Sequence, residues 1–117
     1  DSEMLNKSIE MSCLDDVIQS IGGTIDGKIS EGGKNLSVGQ RQRISIARAI
    51  INDPEVILAD EPTGSLDMDT AKDVFKILKD LKSSNRLIIF ATHNRFFANK
   101  ADCLLEMING SVKNINV

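Results

Sequence analysis

Two adjacent carboxylates, Asp60 and Glu61, follow an apolar run and have the residue types and spacing that point to chemistry. The run, Val56–Ala59, is typical of a parallel strand that is buried on both faces. Open α/β sheets place their ligand chemistry at the carboxyl ends of such strands. A carboxylate at Asp60 can hold Mg²⁺ there, directly or through water, because this hard cation prefers oxygen ligands. The alternative is a solvated turn.

The stretch Leu36–Arg43 is a second candidate, because it is a short polar turn that leads directly into a helical pattern. Ser37 is a good N-cap residue, and Gly39 allows the backbone to approach a ligand closely. The start of a helix presents unpaired N–H groups and the positive end of the helix dipole, which favour a bound anion or phosphate. An ordinary capped helix with a solvated basic face is the alternative. The local cations are Lys34, Arg41, Arg43 and Arg48.

The composition describes one small domain or a piece of one, with 117 residues of which 41% are hydrophobic. The net charge of −3 and the pI of about 5.1 argue against a general nucleic-acid-binding surface. Cys13 and Cys103 fit neither a zinc nor a CxxC spacing, which indicates reduced intracellular thiols. No apolar run approaches the roughly 20 residues that a transmembrane helix needs.

The part of the chain before residue 54 is expected to contain two helices, with a loop at residues 24–35 between them. Residues 1–8 are polar and expected to be frayed, and Ser12–Asp15 has the pattern of a capping box. A short helix follows, which Gly22-Gly23 ends. The helix after the polar turn is expected to run to about Asn52, before an Asp-Pro pair that disfavours helical geometry. The apolar face of the short helix comprises Leu14, Val17, Ile18 and Ile21.

The part of the chain after residue 54 has the pattern strand, helix, strand. Asp67 caps the helix, and Leu87–Ala91 is a second apolar run that is typical of a buried strand. Such a unit predicts parallel strands joined by a right-handed crossover. The buried face of the helix is expected to comprise Ala71, Val74, Phe75, Leu78 and Leu81.

Two short elements are expected near the end of the chain. Residues 95–101 have the pattern of a short helix. Asn109-Gly110 is a strong signal for a type I′ turn, which would join Cys103–Met107 and Ser111–Asn116 as a β-hairpin.

The stretch Gly22–Ile29 nearly matches the phosphate-binding pattern G-x-x-x-x-G-K-[ST]. Ile29 supplies no hydroxyl for magnesium, a helical pattern rather than a strand precedes the stretch, and no helical pattern follows it. A glycine-rich connection is therefore expected here.

Four ordered motifs resemble those of the ATP-binding-cassette (ABC) ATPases. Leu36–Gln40 resembles the family's signature loop, usually Leu-Ser-Gly-Gly-Gln, and Val56–Glu61 resembles its Walker B motif with the catalytic glutamate. Ser65-Leu66-Asp67 resembles the D-loop, and His93 resembles the switch histidine. The resemblance covers roughly residues 9–117 but only the C-terminal half of the family's domain. The Walker A lysine, the Q-loop and an adenine-contacting residue are not identifiable.

The resemblance implies an α/β fold, a partial P-loop NTPase-like parallel sheet flanked by helices. Residues 1–53 are expected to form part of the helical signature subdomain. Residues 54–117 are expected to form the C-terminal part of the ATPase core and to end in the β-hairpin, so that both belong to one truncated nucleotide-binding domain. Such a sheet lacks strands and is expected to expose apolar flanks that promote association.

In this family, two nucleotide-binding domains enclose two ATP molecules head to tail, each between Walker A of one domain and the signature of the other. The resemblance implies Mg²⁺ binding at Asp60, a general-base role for Glu61 and a γ-phosphate contact for His93. It also implies a place at the dimer interface for Asp67. Contacts with ATP held by the partner domain are implied for Leu36, Ser37, Val38, Gly39 and Gln40.

Val38 departs from the family's pattern, which usually has glycine at this position. A β-branched valine disfavours positive φ, so either the backbone is extended here or the loop is a weaker phosphate clamp. Some multidrug-resistance exporters carry the same Ser-Val-Gly-Gln form.

The implied function is that of the motor domain of an ABC transporter, of the exporter type, which hydrolyses ATP at the inner, cytoplasmic face of the cell membrane to drive transport. The expected partners are a second nucleotide-binding domain, the transmembrane domains and the missing Walker A half, whereas nucleic acid is not expected. Without a P-loop nothing cradles the α and β phosphates, so this chain alone is expected to be inactive. The alternatives are a soluble ABC-type ATPase of DNA repair or translation, and a non-catalytic interaction fragment.

The subfamily signals point in two directions. Glu31–Arg43 resembles multidrug or peptide exporters, and its loop Glu31–Asn35 is expected near the membrane-domain contact or as a surface turn. Leu58–Asp67 resembles lipoprotein-release and macrolide-exporter ATPases more closely. The transported substrate stays open, since membrane segments choose it in transporters.

Overall fold

A computed structural model describes residues 2–23, 25–27, 29 and 36–115 of the chain. The elements follow in the order α1 (Ser2–Met11), α2 (Asp15–Ser20), α3 (Val38–Ile50), β1 (Val56–Asp60), α4 (Met68–Leu81), β2 (Leu87–Ala91), α5 (Arg95–Ala98), β3 (Leu105–Ile108) and β4 (Ser111–Asn114). The loop Glu31–Asn35, with Thr24 and Lys28 of the P-loop-like stretch, lies outside the described residues. None of the helices within the described ranges combines the length and apolarity that a membrane span requires.

The elements β1, α4 and β2 form the strand–helix–strand unit that the sequence predicts. The two strands pair in parallel, with Val56 opposite Leu87 and Asp60 opposite Ala91. The connecting helix α4 buries every apolar position predicted for it, and Ile77 as well. The prediction of a parallel pair joined through an amphipathic helix is therefore confirmed.

Three apolar clusters hold the helices against this unit. The largest joins α3, β1 and α4, and it comprises Ile46, Ile50, Ile57, Val74, Ile77, Leu78 and Leu81. The second joins α2 to α3 and comprises Leu14, Val17, Leu36 and Ala47. The third joins α4 to α5 and comprises Ala71, Phe75 and Phe97. The first part of the chain and the strand–helix–strand unit thus share a core.

The prediction that both strands are buried on both faces is wrong for this chain. Ile57 is buried, but Leu58, its neighbour on the opposite face of β1, is 75% exposed. In β2, Leu87 and Ile89 are also exposed. The physical reason is that helices cover only one face of the described two-stranded sheet, and successive side chains of a strand point to opposite faces. The other face is a bare apolar surface.

Residues 2–11 form a helix, so the prediction that residues 1–8 are frayed is wrong. Ser8 is buried, and its hydroxyl donates a hydrogen bond to the carbonyl of Leu5 at 2.8 Å. Ile9 and Met11 pack against the second and the first apolar cluster, respectively. Packing of this kind stabilises a helix that its own polar sequence does not reveal.

The capping box predicted for Ser12–Asp15 is also wrong. Leu14 occupies the N-cap position of α2, and no side chain caps that helix. Cys13 has a left-handed backbone with φ of 54°, and the N–H of Leu14 donates to the carbonyl of Ile9 at 3.2 Å. The turn that ends α1 therefore occupies the residues that the capping box would need. Among the described residues, the buried hydroxyl of Ser12 has no hydrogen-bond partner.

Two turns that the sequence predicts are formed by residues with positive φ. Gly22 and Gly23 end α2 with φ of 119° and 81°. Asn109 and Gly110, with φ of 50° and 81°, join β3 and β4, which pair in an antiparallel hairpin. This combination is the one that a type I′ turn requires, so the hairpin prediction is confirmed. The strands β3 and β4 are shorter than the predicted Cys103–Met107 and Ser111–Asn116, of which Asn116 lies outside the described residues. The helix α5 is also shorter than the predicted residues 95–101.

Arg86 ties the end of α4 and the turn before β1 to the start of β2. Its guanidinium donates to the carbonyl of Pro54 at 3.0 Å and to that of Leu81 at 3.2 Å, and it pairs with the carboxylate of Asp53. The helix α3, which the sequence predicts to run to about Asn52, ends at Ile50.

Arg43 of α3 ties that helix to α2 and to the turn between α1 and α2. Its guanidinium donates to both carboxylate oxygens of Asp16, at 2.8 and 2.9 Å, and to the carbonyl of Cys13 at 2.6 Å. The planar fork of the guanidinium matches a carboxylate in this two-bond geometry. The neighbouring guanidinium lowers the pKa of the Asp16 carboxyl below its ordinary value.

Leu81→Ala should lower the free energy of unfolding by about 2–5 kcal/mol, because Leu81 is almost fully buried and the substitution leaves a cavity in the largest cluster. Urea denaturation of the 117-residue chain measures this. Lys79→Ala is the matched control, since Lys79 is exposed on the same helix and its loss should change the free energy by less than about 0.5 kcal/mol. Equal effects of the two variants would contradict the assignment of the core.

Asp16→Asn should destabilise the chain above about pH 5 but not at about pH 2. Because the folded-state pKa of Asp16 is lowered, its stabilisation is fully present above the unfolded-state value of about 3.9 and is lost as pH falls through the folded-state value. The expected loss is at most about 1 kcal/mol, since the carboxylate is exposed and water screens the ion pair. Urea denaturation at both pH values measures it, with the exposed neighbour Asp15→Asn as control. A loss of equal size at both pH values would refute this account.

Candidate functional site

The backbone of Glu61 turns sharply at the carboxyl end of β1. Its φ of 46° is in the left-handed region, which residues other than glycine rarely adopt. The N–H of Glu61 donates to the carbonyl of Ala91 at 2.8 Å, which continues the pairing with β2 by one further bond. Its carbonyl accepts the N–H of Gly64 at 3.1 Å. The side chain of Glu61 is thus directed by the end of one strand and by a tight turn.

The carboxylate of Glu61 meets the residues that follow β2. Oε1 accepts the backbone N–H of His93 at 2.7 Å, and Oε2 accepts the hydroxyl of Thr92 at 3.3 Å. The imidazole Nε2 of His93 lies 3.8 Å from Oε1, and the side chain is fully exposed. The structure therefore brings Glu61 and His93 together. Each carboxylate oxygen retains a lone pair, so an oriented proton acceptor stands beside an accessible imidazole.

Asp60 is the last residue of β1 and is exposed. It lies on the same face of the sheet as Val56 and Leu58, because alternate residues of a strand share a face. Within the part of the chain that the structure describes, no group of three or more His, Cys, Asp or Glu side chains could hold a metal ion. One exposed carboxylate nevertheless fits Mg²⁺, which proteins usually hold through one or two carboxylates together with water and substrate phosphates.

The start of α3 has the geometry that the sequence predicts for Ser37. The Ser37 hydroxyl accepts the N–H of Gln40 at 3.1 Å, and the Gln40 side-chain oxygen accepts the N–H of Ser37 at 2.9 Å. This is a complete capping box. The cap satisfies two backbone donors, so the side chain of Gln40 must leave this position before the N–H of Ser37 can bind a ligand.

Val38 is the first residue of α3, so the alternative of an extended backbone at this position is wrong. A helical residue needs no positive φ, which explains how valine is accommodated. Its side chain is 42% exposed at the tip of the helix. In a helix the first N–H groups have no intrahelical acceptor, so the backbone here can still offer donors to an anion. Leu36, just before the cap, is buried in the second cluster.

Asp67 caps α4 in the way that the sequence predicts. Its carboxylate accepts the backbone N–H of Thr70 at 3.2 Å and the Thr70 hydroxyl at 2.6 Å. These hydrogen bonds stabilise the charged form and lower the pKa of Asp67 below its ordinary value. The start of α4 lies beside the start of α3, because Gly39 packs against Thr70 and Leu66.

The site residues thus form two groups on one scaffold. Asp60, Glu61 and His93 lie at the carboxyl ends of the parallel strands, whereas the signature residues and Asp67 lie at the adjacent starts of α3 and α4. A cleft of about 450 Å³ runs along the α3–α4 side of the second group. Its lining includes Ser37, Gln40, Arg43, Thr70 and Asp80.

Two threonines are the residues that sequence reasoning missed. The hydroxyl of Thr92 donates a hydrogen bond to Glu61. Its position between an apolar strand and the candidate histidine was the sequence feature that could have identified it. The hydroxyl of Thr70 donates a hydrogen bond to the capping Asp67. A hydroxyl residue three positions after the cap was the sequence feature that could have identified it.

The profile of the family described as "ABC transporter" matches residues 6–64, about half of the chain. The lipoprotein-releasing system ATP-binding protein LolD of Ehrlichia ruminantium (strain Gardel) is 52% identical over 80 residues, which is 68% of this chain and 35% of that protein. The macrolide export ATP-binding/permease protein MacB of Mannheimia succiniciproducens is 38% identical over 107 residues, which is 92% of this chain and 16% of that protein. The chain thus spans about a third or less of the length of these relatives.

The fold agrees with these matches. A solved structure of a bacterial Atm1-family ABC exporter with ATP bound resembles the chain with a TM-score of 0.77 at 26% sequence identity. The likeness covers 94% of this chain and 19% of the exporter chain. It confirms the predicted α/β class with a parallel sheet, flanking helices and a terminal hairpin. By its sequence profile, its relatives and its fold, the chain belongs to the ABC transporter family, as part of an ATP-binding domain.

Proposed function

We propose that the chain is the C-terminal part of the ATP-hydrolysing motor domain of an ABC exporter. The observation that carries this proposal is the carboxylate of Glu61, which the N–H of His93 and the hydroxyl of Thr92 orient at the strand ends. Hydrolysis of ATP depends on an oriented water and on contacts to the terminal phosphate, and Glu61 and His93 have the appropriate chemistry for these two roles.

Glu61 acts as the general base, and His93 contacts the γ-phosphate. Both carboxylate oxygens of Glu61 are held by donors, which leaves a lone pair on each for the attacking water. The exposed imidazole of His93 can reach a phosphate that lies beyond the strand ends. Asp60 would hold Mg²⁺, which when bound with ATP would neutralise developing phosphate charge.

The signature residues act on ATP that a second nucleotide-binding domain holds. Ser37 and Val38 are exposed at the start of α3, where helix dipole and backbone donors favour a phosphate. Gly39 and Gln40 lie in the same turn, and Leu36 anchors that turn in the apolar cluster. The cap of Gln40 on Ser37 opens when the phosphates arrive. Asp67, beside this turn, belongs to the same head-to-tail interface.

The bare face of the parallel sheet is the surface that the Walker A half covers. Four apolar residues share this face, and each is about half exposed or more: Val56, Leu58, Leu87 and Ile89. A contiguous apolar surface of this kind requires a partner layer. We place the helical signature subdomain in residues 1–53 and the ATPase core in residues 54–117, and the cluster that joins α3, β1 and α4 supports their union in one domain.

The parent protein works at the cytoplasmic face of a membrane, with transmembrane domains as partners. The names of the relatives, a lipoprotein-releasing system and a macrolide export protein, and the solved Atm1-family exporter support an export function. The stretch Leu58–Asp67 resembles lipoprotein-release and macrolide-exporter ATPases. Lipoproteins and macrolides are both lipophilic, which favours a lipophilic transported substrate for the parent protein.

Glu61→Gln in the full-length parent should lower kcat for ATP hydrolysis by at least about 100-fold and leave ATP binding intact, because the amide cannot accept the proton of water. Steady-state ATPase rates and nucleotide binding in the reconstituted transporter measure the two effects. Glu55→Gln is the matched control, since it makes the same change at an exposed position just before β1. Wild-type turnover by the Glu61 variant would refute the assignment of the base.

The 117-residue chain alone should show no measurable Mg-ATP binding in titration calorimetry, because its sequence contains no identifiable Walker A motif to cradle the α and β phosphates. Supplying a Walker A half as a separate polypeptide should restore binding if the bare sheet face is its docking surface. Tight binding by the chain alone would contradict the proposal that the signature acts on ATP held elsewhere.

A further inference from the structure

Gly39 is surrounded by side chains of the D-loop and of α4. A Cβ built at this position would lie 2.5 Å from the methyl carbon Cγ2 of Thr70 and 3.9 Å from Cδ2 of Leu66. The first distance is far below van der Waals contact, so any larger residue at position 39 must displace Thr70. The backbone of Gly39 is helical, so a positive φ is not the reason for glycine here. The reason is space.

Thr70 can yield this space by rotating its side chain only at the cost of a hydrogen bond. Its hydroxyl donates to Oδ1 of Asp67 at 2.6 Å, and its N–H donates to Oδ2 of the same carboxylate at 3.2 Å. The carbonyl of Asp67 accepts the N–H of Ala71 at 2.8 Å, which begins α4. Rotation about χ1 of Thr70 would move the methyl group only by breaking the hydroxyl bond to Asp67.

We propose that Thr70 is a positioning residue that sets the spacing between the signature helix and the D-loop. Its hydroxyl holds Asp67, and its methyl group fills the place where Gly39 lacks a side chain. One side chain thereby joins the two segments that approach the partner's ATP. This inference rests on the proposed function, because it assigns Thr70 a role in the same head-to-tail interface.

The packing below this contact explains how the spacing is maintained. Farther along, α3 and α4 share the largest apolar cluster, to which Ile46 and Ile50 of α3 and Val74 and Ile77 of α4 belong. Such close-packed helices resist relative motion. The contact between Gly39 and Thr70 extends this packing to the helix starts, beside the signature and the D-loop.

A size-complementation experiment on the full chain tests the contact. Gly39→Ala should lower the melting temperature by roughly 10 °C, because the new methyl group overlaps Thr70. Thr70→Ser removes the methyl group but retains the hydroxyl, so it should restore most of this loss in the double variant. Thr70→Val keeps a methyl group and removes the hydroxyl, so it should not rescue Gly39→Ala. Rescue by valine as well as serine, or by neither, would overturn the steric assignment.

Kinetics of the full-length parent test the positioning role. Thr70→Val removes the hydroxyl bond to Asp67 and keeps only the bond from the backbone N–H, so Asp67 is held less firmly. This variant should lower kcat about tenfold and change KM for ATP by less than about twofold, since the partner's Walker A supplies most of the binding. A merely structural role would lower the melting temperature and leave kcat per folded site unchanged, and that result would overturn the inference. If the wild-type parent does not hydrolyse ATP, the proposed function fails instead. If Glu61→Gln abolishes turnover and Thr70→Val has no effect on kcat, only this inference fails.

Discussion

The burial of one face of α4 is the constraint on which the described structure depends. Val74 and Leu81 are almost fully buried, and they join α3 and β1 in the largest apolar cluster. Next to Val74 on the same helix, the ring of Phe75 packs against Phe97 and Phe90, with centroids 5.1 and 5.6 Å apart. Because both clusters share one helix, the start of α3 and the ends of the strands are placed relative to each other. The two groups of site residues therefore have a common support.

The parallel register places the proposed catalytic groups side by side. The pairing of Asp60 with Ala91 puts the residue after β1 beside the residues after β2, and Glu61 lies against His93 for this reason. The donor from His93 is a backbone N–H, so the carboxylate is oriented by the sheet itself. The backbone of Glu61 is left-handed, which costs energy. Such a conformation persists where the surrounding hydrogen bonds determine it. This arrangement pre-organises a proton acceptor.

Many of the exposed large apolar residues among those that the structure describes lie on strands. The bare face of the parallel sheet is one such surface, and the hairpin is another, with Leu105, Met107 and Val112 largely exposed. Isolated exposed apolar residues are common on proteins, but contiguous ones mark surfaces that contact another segment or chain. The chain spans about a third of LolD and less of MacB, so these relatives contain further segments of the kind that such surfaces contact.

Local patterns in the sequence were sufficient to predict much of the fold and to locate the candidate site. The caps at Ser37 and Asp67, the turn at Asn109-Gly110 and the two apolar runs depend on neighbouring residues, so a sequence displays them directly. The roles of Glu61 and His93 were expected from their motifs, although no local pattern shows that one side chain touches the backbone of the other.

Tertiary structure decided the features that depend on residues far apart in the chain. The helix α1 forms because it packs on α3 and α4, and the left-handed turn at Cys13 replaces a capping box that its own residues would favour. The strands are exposed on one face because the described elements cover only the other. The contact of Gly39 with Thr70 arises where two helix starts meet, and only the packing of α3 on α4 brings them together. Sequence patterns describe what each segment can form, whereas burial depends on which other segments are present to cover it.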